Sequence, residues 1–393
     1  MNPFENFKVE VPDSDLAALK QRLENTRWPT ESPDPEWISG VPVAYLRELV
    51  DYWVTSYDWR KWEERLNAFP QFTAKIDGEN VHFMHIRSQE DDAMPLVLIH
   101  GWPSTSAEFL DLIDPLVNPT RHGRDRSEAF HLVIPTLPGF GFSGPVSQAG
   151  WDGTRMAHAI AELMHRLEYQ RYGVQGGDWG EYVGRELALA YPERIVGLHL
   201  NTLYTVRLPS EIPADLAPHE RAIFEWRASA VPSRGYAELQ STRPQTIAFA
   251  VADSPAGQLA WIIEKFKEWT DNSGEPDEAV NIDHLLTNVT IYWLTNTGGS
   301  SGRIYYETNK SSGWPATAKS PRYKIFDRVL VPTGVANFPA ENSRSIRRFA
   351  AETYNVVHWS EMTRGGHFPA MEAAGDLVAD IRTFFSGLNS SSV

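Results

Sequence analysis

An apolar stretch that passes straight into a helix through Gly176-Gly177-Asp178-Trp179-Gly180 leaves this chain the least freedom in how it folds. The run Tyr172-Gly173-Val174-Gln175 precedes the pentapeptide, and residues 181–191 read as a helix after it. A turn without a spacer between strand and helix is so tight that its flanking positions must be glycine-like, and it lifts the central side chain above the sheet. Small-X-nucleophile-X-small is the pattern of a nucleophile elbow, here centred on an aspartate. A carboxylate placed there attacks an sp³ carbon and forms an alkyl ester, where a serine would attack a carbonyl and form an acyl ester. Taken alone, the pentapeptide fits equally well a helix cap at Asp178 with Gly180 packed against a neighbour.

The flanking pattern is that of an α/β protein. Short apolar runs at residues 96–99, 130–134, 172–175 and 195–200 alternate with helical stretches such as the one holding Phe109, Leu110 and Leu112. A parallel sheet covered on both faces produces such a rhythm. Before residue 93 the chain reads as a helical preface. Ser14 is expected to cap a helix bearing Leu16, Leu19 and Leu23, and the prolines from Arg27-Trp28-Pro29 to Pro33-Asp34-Pro35 end it. Tyr45, Leu49 and Trp53 mark a second helix, and Trp59, Trp62 and Leu66 a third; residues 72–76 and 81–86 flank Asp77-Gly78 as a hairpin. Between residues 202 and 323 the strand rhythm stops, and a helix-rich segment that includes residues 261–269 reads as an insertion over the sheet. Strands resume at residues 329–331 and 356–359, a helix is expected over 376–385, and residues 386–393 read as a polar tail. Gly298-Gly299-Ser300-Ser301-Gly302 reads as a short flexible loop. The division expected is 1–92 meander, 93–201 first part of the core, 202–324 lid and 325–393 second part of the core.

Composition removes whole classes of function. The balance of 36 Lys and Arg against 51 Asp and Glu leaves a net charge of −15, with no basic stripe. That argues against nucleic acid or an anionic membrane as partner and favours a small ligand. The absence of cysteine from 393 residues excludes disulfides, thiolate nucleophiles and Cys-ligated metals, and fits a reducing compartment. No run of 18 apolar residues occurs and the start lacks the pattern of a secretory signal, so a soluble, cytoplasmic protein is expected. The 14 Trp, 14 Tyr and 18 Phe suggest aromatic-lined pockets, or equally a large core filled with rings. No His-Glu-x-x-His occurs, His82 and His85 fall on opposite faces of a strand, and the loop from Gly298 lacks the ending of a phosphate cradle. No metal or organic cofactor is expected.

Three further segments supply candidate partners for Asp178. His100-Gly101-Trp102-Pro103 follows the strand at 96–99, and a cis bond before Pro103 is plausible. The main-chain N–H groups of Trp102 and Trp179 are the expected oxyanion donors, with His100, Gly101 and Pro103 as substrate contacts. Gly365-Gly366-His367-Phe368 follows the last strand, where a histidine on a glycine-hinged loop can reach the nucleophile and deprotonate water. A carboxylate must orient that imidazole. Asn337-Phe338-Pro339-Ala340-Glu341 offers Glu341, whereas Glu352, Glu361 and Glu372 read as surface charges. Pro138-Gly139-Phe140-Gly141-Phe142-Ser143 reads as a glycine turn with buried rings.

Taken together, the Asp-centred elbow, the His-Gly-Trp-Pro loop, the Phe-Pro-Ala-Glu segment and the Gly-Gly-His-Phe loop resemble an epoxide hydrolase of the α/β-hydrolase superfamily. The resemblance is to the microsomal-type branch, which includes juvenile-hormone epoxide hydrolases and soluble fungal and bacterial relatives. It covers nearly the whole chain, because Arg27-Trp28-Pro29 and Trp59-Arg60 resemble that branch's N-terminal meander. It implies an α/β-hydrolase fold with a mostly parallel central sheet, a helical lid insertion and an N-terminal helical meander. Membrane-bound members carry an anchor ahead of the meander, so a soluble protein is implied here.

The family uses two lid tyrosines on the epoxide oxygen. Tyr236, in Arg234-Gly235-Tyr236, resembles one, and Tyr305, in Gly302-Arg303-Ile304-Tyr305-Tyr306-Glu307, resembles the other better than Tyr306 does. The implied reaction converts an epoxide, bulky or aromatic, and water to a vicinal diol through an ester on Asp178. Its setting is detoxification or natural-product biosynthesis, enediyne antibiotics included. A homodimer is compatible with the resemblance. The rival readings are a haloalkane dehalogenase, which shares the aspartate followed by Trp, and a non-catalytic ligand-binding protein of the same fold.

Overall fold

The computed structural model describes residues 4–34, 36–206, 209, 212–229, 234–312 and 327–390. Nine strands form one sheet in the order β1-β2-β3-β5-β4-β6-β7-β8-β9. They are β1 (Glu5–Phe7), β2 (Gln71–Ile76), β3 (Glu79–Ile86), β4 (Met94–Ile99), β5 (Phe130–Pro135), β6 (Tyr172–Gly176), β7 (Ile195–Leu200), β8 (Val329–Asn337) and β9 (Tyr354–Glu361). From β5 through β4 to β9 every pairing is parallel, and the first three strands add an antiparallel flank. The architecture is the expected α/β one, with a mostly parallel central sheet.

The buried run of β4 shows why the sheet needs cover on both faces. Leu96, Val97, Leu98 and Ile99 have no exposed surface. Successive residues of a strand face opposite ways. Val97 and Ile99 join a core with Met156 and Ile160 of α5 (Gly153–Arg166) and Val183 and Leu187 of α6 (Trp179–Ala190). Leu96 and Leu98 join another with Leu112 and Ile113 of α4 (Leu110–Val117) and Leu377 and Ile381 of α16 (Ala374–Ser390).

Ahead of the sheet, α1 (Asp13–Glu24), α2 (Val43–Thr55) and α3 (Trp59–Asn67) form the helical preface. Between β7 and β8 the insertion carries α7 (Pro218–Ser229), α8 (Gly235–Thr242), α9 (Pro244–Asp253), α10 (Pro255–Trp269), α11 (Ile282–Leu294), α12 (Gly298–Ser301) and α13 (Arg303–Ser312). The preface fastens the insertion. Arg22 donates to the Asp253 carbonyl at 2.7 Å, Tyr52 to Asp283 at 2.8 Å, and Tyr57 pairs with Thr287 at 2.8 Å. After β8, α14 (Arg347–Thr353) leads into β9, and α15 (Pro369–Glu372) precedes the last helix.

Several expectations need correction. Helix α1 begins at Asp13 behind Pro12, so Ser14 lies inside the first turn and caps nothing. Gly298–Ser301 is a helical turn and not a loop, because Gly299 packs on α9 where a Cβ would lie 2.4 Å from that of Ala248. The final helix runs on to Ser390, taking in most of the expected polar tail. Strand β1 was not expected; three residues are too few to show a period. Pro35, residues 391–393 and the lid boundary at 324–325 fall outside the described residues.

The elbow is where the fold is tightest. Asp178 has φ 51° and ψ −124°, a conformation that costs a non-glycine residue about 1–3 kcal/mol and persists only where its surroundings impose it. A Cβ on Gly180 would lie 2.0 Å from the Ile99 carbonyl oxygen, so α6 approaches β4 only through glycine. Gly180→Ala should therefore destabilise the fold by about 1–3 kcal/mol, the range for overpacking. Thermal unfolding reads this as a lowered midpoint, and an unchanged midpoint would contradict it.

Candidate active site

Four chain segments meet at the carboxyl ends of the central strands. Strand β6 delivers Asp178, the loop after β4 delivers Gly101 and Trp102, the turn after β8 delivers Glu341, and the loop between β9 and α15 delivers His367. The Trp102 N–H donates to Asp178 Oδ1 at 2.7 Å. A Cβ on Gly101 would lie 2.4 Å from Asp178 Oδ1, so the carboxylate takes this position only over glycine. The Trp102–Pro103 bond is cis. Trp179 is the first residue of α6, and its N–H is one that the helix itself does not use.

His367 lies between two carboxylates. Its Nδ1 reaches Glu341 Oε2 at 2.9 Å and Oε1 at 3.1 Å, while Nε2 is 3.5 Å from Asp178 Oδ2. Glu341 is held in turn: Oε1 accepts from the Ser343 N–H at 2.9 Å and its hydroxyl at 3.0 Å, and Oε2 accepts from Thr202 at 2.8 Å. Asp178, His367 and Glu341 are all buried. Burial alone would depress the imidazole, but the charges of Glu341 and Asp178 outweigh it and raise His367 to about 10. Burial likewise opposes ionisation of Glu341, and the imidazolium overcomes it and holds that carboxyl below its usual range.

Above the elbow the insertion adds an aromatic cage. Tyr236 of α8 stacks on Trp102 with centroids 5.1 Å apart and planes 6° apart, and Tyr305 of α13 meets Trp179 edge-on at 4.8 Å. The two tyrosine rings are 5.9 Å apart, and Trp269 closes the cage at 5.2 Å from Tyr236 and 4.9 Å from His367. Burial, with the charge of Asp178, pushes both phenols upward, so they are donors at neutral pH. Tyr306 takes no part in these contacts, which settles which of the adjacent tyrosines joins the cage.

The structure also corrects the expected substrate contacts. His100 has no exposed surface and both ring nitrogens are engaged by main chain: Nδ1 donates to the Gly101 carbonyl and Nε2 accepts from the Leu137 N–H, each at 3.0 Å. It braces the two loops and does not offer itself to a substrate. The Pro103 carbonyl accepts from Asn288 at 2.7 Å. Of the three, Gly101 alone borders the cavity beside Asp178.

Glu372, expected as a surface charge, proves to be part of a latch. Its Oε1 accepts from the Phe368 N–H at 2.9 Å and its Oε2 from the Asp271 N–H at 2.8 Å, and burial pushes its carboxyl up to about 7. Asp271 accepts from the Gly365 N–H at 2.8 Å, and the His367 N–H donates to the Trp269 carbonyl at 2.8 Å. The end of α10 and the histidine loop are thereby tied together. The sequence offers only a weak signal for this, a glutamate four residues beyond Phe368.

Residues 94–272 match the family model described as the alpha/beta hydrolase fold, and residues 4–109 that of the epoxide hydrolase N terminus. A Stigmatella aurantiaca protein named as an epoxide hydrolase is 45% identical over 388 residues, 97% of this chain and 84% of its own length. Epoxide hydrolase 1 of Sus scrofa is 35% identical over 407 residues, covering 96% of this chain and 87% of the relative. The solved structure of Aspergillus niger epoxide hydrolase superposes with a TM-score of 0.85 at 31% identity, covering 98% of this chain and 96% of the other. Fold and site thus define an α/β hydrolase. Within that superfamily the chain belongs to the epoxide hydrolases of the microsomal and fungal type, and it is a hydrolase that acts on small-molecule epoxides with water. Among the described residues, no single helix is long and apolar enough to cross a membrane.

The shared imidazole yields a prediction about pH. An unfolded histidine titrates near ~6.5, so the folded pairing adds stability that is complete below that pH and is lost as pH rises through about 10. Asp178→Asn removes one of the two charges that hold the proton. Its His367 should titrate at lower pH than in the parent, as read by NMR of the ring nitrogens; an unmoved midpoint would show that Asp178 contributes nothing to it.

Proposed function

We propose that the protein opens epoxides by forming a covalent ester on Asp178 and then hydrolysing it. One observation carries this reading: Asp178 has Oδ1 held by the Trp102 N–H and Oδ2 facing the Nε2 of His367. Oδ2 attacks an epoxide carbon, that carbon's bond to the ring oxygen breaks, and Tyr236 and Tyr305 supply hydrogen bonds and a proton to the alkoxide. The product of this half is a 2-hydroxyalkyl ester. Esterification removes the negative charge of Asp178, so His367 loses one of the two charges that hold its proton. That proton restores the phenol, and the imidazole is left neutral as a base.

In the second half, His367, oriented by Glu341, takes a proton from water as the water oxygen bonds to the ester carbonyl carbon. The charge formed at Oδ1 is met by the Trp102 and Trp179 N–H groups. Collapse breaks the bond between that carbon and the alkyl oxygen, the proton on His367 passes to the leaving alkoxide, and a vicinal diol departs. The rings of Trp102, Tyr236, Tyr305 and Trp269 suit an aromatic or otherwise bulky apolar epoxide. Such a substrate fits detoxification and aromatic natural-product biosynthesis, enediyne antibiotics included. A pair of phenols over the nucleophile serves a developing alkoxide better than a departing halide, which favours epoxides over haloalkanes. The acidic composition and the absence of cysteine support a cytoplasmic setting.

His367→Gln leaves no base for the second half and should slow diol release by about 10²–10⁴-fold. The ester should then accumulate, seen by intact-protein mass spectrometry as one substrate mass added and mapped to the peptide holding Asp178. Lack of any adduct in a variant that has lost turnover would remove the ester from the mechanism. Tyr305→Phe should slow ester formation by about 10²-fold, the cost of one donor to a developing oxyanion. Tyr306→Phe should not, and equal losses in the two would remove Tyr305 from its role.

A further inference from the structure

Beside Asp178 lies a cavity of about 20 Å³, bordered among others by Glu108, Gln175, Asp178, Asn201 and His367. A single water needs about 10–15 Å³ and two to four polar partners. Neither Tyr236 nor Tyr305 borders this cavity, whereas Trp102, on which Tyr236 stacks, does. One bordering side chain carries a buried polar atom with no protein partner, Gln175 Oε1, and His367 Nε2 has only the long 3.5 Å approach to Asp178 Oδ2. The Gln175 amide nitrogen is committed to Asn201 Oδ1 at 2.8 Å, which leaves Oε1 as an acceptor in need of a donor. Such an atom left unmatched costs about 1–3 kcal/mol.

We propose that this cavity seats the hydrolytic water, and that Gln175 and Glu108 are positioning residues that hold it against Asp178 and His367. The inference rests on the ester mechanism proposed above and adds where its second reactant waits. A water there gives one proton to Gln175 Oε1 as a hydrogen bond and presents the other to neutral His367 Nε2. Its oxygen is then directed at the carbonyl carbon of Asp178. Burial pushes the Glu108 carboxyl up to about 8, so at neutral pH it is mostly a neutral acid that can donate to the water oxygen and fix the third direction. In the reaction, the water oxygen bonds to the carbonyl carbon, its proton passes to Nε2, and the alkyl oxygen leaves with that proton. Neither Gln175 nor Glu108 changes its own protonation.

The test separates the two halves of the cycle. With styrene oxide in stopped flow, tryptophan fluorescence follows ester formation and decay in single turnovers. Glu108→Leu and, independently, Gln175→Met should leave formation unchanged and slow decay by about 10²-fold, the cost of a reactant misplaced by about 1 Å. Glu108→Gln keeps the hydrogen-bonding groups of a neutral acid and should recover most of the decay rate. Decay at the parent rate in both Leu and Met variants, or formation slowed as much as decay, would overturn the water site while leaving the ester mechanism standing. Absence of an ester phase in the parent protein would instead overturn the mechanism beneath it.

Discussion

One imidazole shared by two carboxylates is the interaction on which the rest of this structure depends. His367 binds Glu341 through Nδ1 and faces Asp178 through Nε2, and all three groups are buried. Two buried anions around one cation are tolerable only if every remaining lone pair is met, since removing charges from water costs several kcal/mol for each ion. The surroundings meet them: Thr202 and Ser343 donate to Glu341, and the Trp102 N–H donates to Asp178. The same arrangement underlies the two-step reaction proposed above. In that proposal, a proton held firmly while Asp178 is charged becomes available once the charge is consumed, so the event that forms the ester would also prepare the base that removes it.

Such geometry requires the histidine loop to be fixed, and the insertion helps to fix it. Trp269, Asp271 and Glu372 form a short chain of hydrogen bonds between the end of α10 and residues 365–368. Helices α1 and α2 and the residues just beyond them hold the other side of the insertion through Arg22, Tyr52 and Tyr57. The N-terminal preface, remote from Asp178 in sequence, therefore bears on how the insertion that carries the tyrosines is held.

The elbow was legible because its signal is local: a glycine that tolerates no Cβ, a strand before it and a helix after it lie within one short stretch. The apolar runs of β4 to β7 were legible for the same reason, since each is buried on both faces and reads as continuous hydrophobicity. Glu341 and His367 followed from their order along the chain after the last strands. The tyrosines needed the family pattern, for one of fourteen phenols has no local mark. What stayed hidden depends on distant partners. Glu372 looks like any exposed glutamate until Asp271 is beside it, His100 looks like a pocket residue until the Leu137 N–H takes its second nitrogen, and the Gly298 to Ser301 turn looks slack until α9 lies against it. Glu108 is the clearest case, a lone acid between apolar neighbours whose cavity exists only once the sheet is assembled.

The central claim is that an oxygen of Asp178 enters the product. It is tested most directly by a single turnover of an aromatic epoxide, enzyme in excess, in ¹⁸O-labelled water. The account predicts that the first diol carries unlabelled oxygen from the carboxylate while the label enters Asp178 and reaches diol only in the following turnover. Label in the first diol would mean that water attacks the epoxide directly, and the ester would have no place in the reaction.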